Sequence, residues 1–131
     1  MVAAQRRPVP HLAWARAAAK FASSGIDVSD GLVQDLGHVA KASGVNIDVE
    51  RAGVALDAQL VEWAKGKALK RALTGGEDYV VAVTVSDAQG FEREMGAAGF
   101  DVFRIGRVRA GSGVTVDGAP VTGRTGYQHA L

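Results

Sequence analysis

No cysteine occurs among the 131 residues, which excludes a disulfide framework, thiolate metal ligands and a cysteine nucleophile. No apolar run approaches the ~18 residues that span a bilayer, so no membrane partner is expected. Charge of one sign is also lacking: 15 Lys and Arg against 14 Asp and Glu leave a net +1. That balance argues against a nucleic-acid partner. Proline is scarce, and two of its three occurrences, Pro8 and Pro10, lie in the first ten residues. There they bar helix and favour extended backbone. Met1 to Pro10 therefore reads as a linker, and residues 11–131 as one domain. The segment after it is amphipathic and carries Arg16 and Lys20. It makes a poor signal peptide, so a cytoplasmic location is expected.

What the chain does have is an apolar balance suited to a packed core, with 47% hydrophobic residues. The stretch that organises it is Gly25-Ile26-Asp27-Val28-Ser29-Asp30-Gly31-Leu32. Ile26 and Val28 alternate as in a strand; Leu32, Val33, Leu36, Val39 and Ala40 then recur with helical period. A strand ending where a helix begins puts Asp27, Ser29 and Asp30 beside the helix's positive end and its backbone N–H groups. Such a corner can hold a metal through carboxylates and steer a polyphosphate to the helix N-terminus. Alternatively, Ser29 or Asp30 simply caps the helix.

Around this corner the pattern predicts a helix from Pro10 to about Ser23, with Leu12, Trp14, Ala18 and Phe21 inward. The organising helix runs from Asp30 to about Ala42 and is closed by Ser43-Gly44. Val45, Ile47 and Val49 alternate with Asn46, Asp48 and Glu50 as a half-buried strand. A helix is expected over roughly Asp57 to Leu69. The glycine-rich Leu73-Thr74-Gly75-Gly76-Glu77-Asp78 opens onto Tyr79 to Val85, whose β-branched run suits a central strand covered on both faces. Ser86 is placed to cap a helix over Asp87 to Ala98. A strand over Val102 to Val108 follows, then a hairpin turning at Asp117-Gly118. The fold class expected is α+β, a mixed sheet flanked by helices.

Acidic residues at strand ends are the repeated theme. If the ends carrying Asp27 and Asp30 and those carrying Glu77 and Asp78 share one sheet edge, four carboxylates line one cleft. Magnesium suits such a set. The plainer reading of Gly75 to Asp78 is a tight turn with solvated acids. His11, His38 and His129 lack metal-ligand spacing and read as surface or packing residues. No serine triad, dinucleotide fingerprint or P-loop is legible.

Ile26-Asp27-Val28-Ser29-Asp30-Gly31-Leu32, Asp35-Leu36-Gly37-His38, Ala72-Leu73-Thr74-Gly75-Gly76-Glu77-Asp78-Tyr79, Ile105-Gly106 and Gly126-Tyr127 with His129 together resemble the C-terminal domain of the thiamine-monophosphate kinase family. That family lies within the aminoimidazole-ribonucleotide-synthetase-like superfamily. The resemblance covers essentially the whole chain; Val80-Val81 and Gln128-His129-Ala130 depart from its usual pattern. It implies transfer of the γ-phosphoryl group of ATP to thiamine monophosphate with Mg2+. Asp27 and Asp30 would bind metal, Ser29 would touch the ATP phosphates, Glu77 would contact the thiamine substrate, and Arg124 would help close over it. It also implies an N-terminal domain beyond these residues, a homodimer when full-length, and little turnover by this portion alone. A non-catalytic binding module of the same fold, or a sister enzyme of the superfamily, is the alternative expectation.

Overall fold

The computed structural model describes residues 11–54, 67, 80–123 and 125. The helix expected over Asp57 to Leu69 lies outside them apart from Lys67. So do the glycine-rich loop with Glu77 and Asp78, and Arg124, Tyr127 and His129.

Helix α1, Leu12–Ala18, ends well before the predicted Ser23, and strand β1, Ala22–Val28, takes up the difference. The reason is tertiary pairing overriding alanine's helix propensity. β1 lies antiparallel to β3, Val80–Val85, from Ala22 opposite Val85 to Val28 opposite Val80. The hydroxyls of Ser23 and Ser24 reach Thr84 Oγ1 across the pair at 2.8 and 2.6 Å. α2, Leu32–Ser43, is closed by Gly44 in the left-handed region at φ 63°, the conformation glycine adopts without a Cβ penalty. β2, Asn46–Val49, follows, then a single 3₁₀ turn over Arg51–Gly53.

α3, Ala88–Ala97, is capped by Asp87 rather than Ser86: the Asp87 carboxylate accepts the Gly90 N–H at 2.9 Å. The strand expected from Val102 begins only at Gly106 as β4, Gly106–Arg109. Val102 and Ile105 still bury against the two core clusters as loop residues. β5, Gly113–Val116, and β6, Ala119–Pro120, make the expected hairpin. Its turn residues Asp117 and Gly118 have φ of 50° and 79°, the positive-φ pair that matches strand twist.

The described strands form two sheets: the β1–β3 pair, and a four-stranded mixed sheet in the order β4-β2-β5-β6 with β2 and β5 parallel. Among the described residues β3 is therefore not the expected central strand covered on both faces. Among the described residues it pairs only with β1, and Val80 is 43% exposed. One core cluster packs Leu32, Val33, Leu36 and Ala40 of α2 against Val28, Ile47, Val49 and Val116. The other joins Ala18, Phe91 and Met95, with Trp14 edge-on to Phe91 and its indole N–H donating to the Asp101 carbonyl. Leu12, expected inward, is exposed. None of the described helices is long and apolar enough to cross a membrane.

Candidate functional site at the corner between β1 and α2

Strand alternation sends Val28 into the core and leaves Asp27 exposed on the other face; Ser29 and Asp30 are half-buried. α2 starts at Leu32 with Gly31, which has no side chain, in the capping position expected for Ser29 or Asp30. Gly31 holds φ 133° and ψ 140°, a conformation that L-residues rarely adopt.

The backbone donors of this loop turn inward. The N–H groups of Ser29, Asp30 and Gly31 all donate to Asp35 Oδ2, at 2.9, 3.0 and 3.2 Å. Asp35 donates its own N–H to the Gly31 carbonyl at 2.9 Å and is 4% exposed on the buried face of α2. These three amides precede α2 and are distinct from the N–H groups of its own first turn. They already serve an internal carboxylate, because a buried charge needs such donors. Sequence reading gave Asp35 no role. Its signal was an acid inside the apolar stripe Leu32, Val33, Leu36, one turn into a helix.

Val28 and Val80 are cross-strand partners, so the exit of β1 and the entry to β3 meet at one end of the pair. That is the condition set above for gathering the acids of both segments, although Glu77 and Asp78 themselves lie outside the described residues. Among those residues, no three His, Asp or Glu side chains form a group able to hold a metal ion by themselves. The donor set still fits magnesium, a hard cation that keeps its waters and takes one or two protein carboxylates plus substrate phosphates. Asp27 and Asp30 are the residues that could supply such carboxylates, one near the end of β1 and one on the loop after it. His11 and His38 are exposed, in keeping with surface roles.

A second polar cluster lies on the mixed sheet. Asp48, read from its alternation as solvent-facing, is 4% exposed. Its Oδ1 accepts from Thr115 Oγ1 at 2.6 Å and from the Gly118 N–H at 2.8 Å; its Oδ2 lies 3.3 Å from Arg109 Nη2. The Thr115 hydroxyl above all, then the Gly118 amide and Arg109, hold its carboxyl below the usual range despite burial. Beside it is a pocket of about 260 Å³ lined by Asn46, Asp48, Arg109, Ser112 and Thr115 among others. Its acid is committed to bracing β2 against the β5–β6 turn.

The family model of the AIR synthase related protein, C-terminal domain, matches residues 7–118. The thiamine-monophosphate kinase of Salmonella typhimurium is 38% identical over 94% of this chain and 40% of its own length. That of Mycobacterium tuberculosis is 42% identical over 87% of this chain and 33% of its own. The solved structure of AaThiL complexed with AMPPCP and TMP superimposes with a TM-score of 0.85 at 32% identity, covering 98% of this chain and 40% of that one. The Stenotrophomonas maltophilia thiamine-monophosphate kinase gives 0.79 at 33% identity, with coverages of 86% and 37%. The chain thus spans about two fifths of the length of these relatives. On the family match and these identities, it belongs to the AIR synthase related C-terminal domain family.

Proposed function

We propose that this chain is the C-terminal, substrate- and metal-binding portion of a thiamine-monophosphate kinase. The observation that carries the reading is the corner itself. Asp27, near the end of β1, and Ser29 and Asp30, on the braced loop between β1 and α2, lie at the end of the strand pair where β3 enters, in a chain like the kinases named above. In this reading Asp27 and Asp30 would hold Mg2+, which would supply positive charge against the transferring phosphoryl group. Ser29 contacts the ATP phosphates. Glu77 orients the thiamine substrate, and Arg124 helps close over it.

The reaction breaks the bond from the γ-phosphorus to the β–γ bridging oxygen. It forms one from that phosphorus to a phosphate oxygen of thiamine monophosphate, releasing ADP and thiamine diphosphate. What these residues contribute is placement and electrostatics, with no covalent enzyme intermediate required. The rest of the site and the dimer contact belong to the length of the relatives that this chain does not span. This portion alone accordingly turns over little, in a cytoplasmic protein.

Calorimetric titration with ATP and thiamine monophosphate, with and without Mg2+, tests this. Magnesium-dependent nucleotide binding is expected for the chain and lost in Asp27→Ala. Binding that ignores Mg2+ and survives Asp27→Ala contradicts the assignment.

A further inference from the structure

We infer that Asp35 is a positioning residue for the metal-binding corner, fixing the backbone that carries Ser29 and Asp30 relative to Asp27. The inference rests on the function just proposed. Three consecutive N–H groups converge on one oxygen of a buried carboxylate within 3.2 Å. Converging amides of this kind otherwise make a concavity for an external anion. Here the anion is internal, and its anchor is a helix packed into the main core cluster through Leu32, Val33 and Leu36.

Two consequences follow for the chemistry. Mg2+ tolerates little departure from octahedral geometry at short range, so the spacing between a carboxylate on the strand (Asp27) and one on the loop (Asp30) must be held. Asp35 holds it from beneath without touching metal or substrate. It also withholds the three amides from phosphate, so the nucleotide is recruited through metal and not by the bare loop. Gly31, at φ 133°, lets the chain turn tightly enough for its own N–H to join the other two.

The test uses Asp35→Asn and Asp35→Ala, with Ile47→Val, at another position of the same core cluster, as a control for core packing. Amide hydrogen exchange at Ser29, Asp30 and Gly31 reports the brace directly, and calorimetry reports Mg2+ affinity in the presence of ATP. Asp35→Asn is expected to stay folded, since Asn is nearly isosteric with Asp. Its neutral amide oxygen accepts more weakly than a carboxylate, so exchange protection at those three amides should fall while that along β2 is kept. The variant's Mg2+ affinity should fall roughly 10- to 100-fold, the usual cost of removing a residue that orients metal ligands. Ile47→Val should change neither reading. If Asp35→Ala does not fold, Asp35→Asn decides. Unchanged Mg2+ affinity in Asp35→Asn, with the wild type binding normally, overturns the role of Asp35 alone. A wild type that binds no Mg2+ with ATP contradicts the proposed function, and the assignment of Asp35 falls with it.

Discussion

Among the described residues two aspartates, Asp35 and Asp48, are buried, and each is satisfied by loop amides or hydroxyls rather than by solvent. Asp48 makes stability depend on pH in a predictable direction. Its carboxyl titrates below its ordinary value, chiefly because Thr115 donates to it. The folded state therefore binds that proton less readily than the unfolded chain, whose Asp pKa is about 3.9. The stabilisation is complete above the unfolded value and is lost as pH falls through the lower, folded value. Urea midpoints measured from neutral pH down into the acid range should fall more steeply in the wild type than in Asp48→Asn. Parallel profiles would show that the Thr115–Asp48–Gly118 bridge carries no proton linkage. Neither burial was legible beforehand. Alternation assigned Asp48 to solvent, and helical spacing left Asp35 beside an apolar stripe. Pattern alone does not reveal that distant donors, Thr115 and Gly118, wait to receive a buried charge.

At the scale of elements, two glycines separate close backbone approach from simple flexibility. A Cβ on Gly106 would collide with the backbone carbonyl of Asp48, because β4 and β2 run together there, Gly106 opposite Val49. A Cβ on Gly96, within α3, meets nothing within 4 Å. Gly106→Ala should destabilise by roughly 1–3 kcal/mol, as overpacking does. Gly96→Ala should stabilise by about 0.4–1 kcal/mol through the unfolded chain. Denaturant unfolding checks both, and equal effects would contradict the described β2–β4 packing. The elements that periodicity and turn chemistry govern, α2, α3 and the Asp117-Gly118 hairpin, were legible within a residue or two. The errors fell where a partner strand decided the outcome. Ser23, at the end of the predicted helix, instead joins Ser24 in bonding Thr84, and Val102 to Ile105 pack as loop ahead of β4.

For the whole molecule, the α+β class and the mixed sheet were legible, whereas the division into two sheets was not. Which strands pair is set by long-range burial, and the β-branched run of β3 reads the same in a ribbon as in a sheet centre. The division matters for function. The β1–β3 ribbon carries the acidic corner, and the mixed sheet carries the Asp48 pocket. In the proposed function ligand binding falls to the first and bracing to the second. The most direct test is an amide NMR titration of the chain with Mg2+ and a non-hydrolysable ATP analogue. Shifts centred on residues 27–31, absent without Mg2+, are the predicted result. Shifts centred on Asn46, Asp48 and Arg109, or at the corner irrespective of Mg2+, would contradict it.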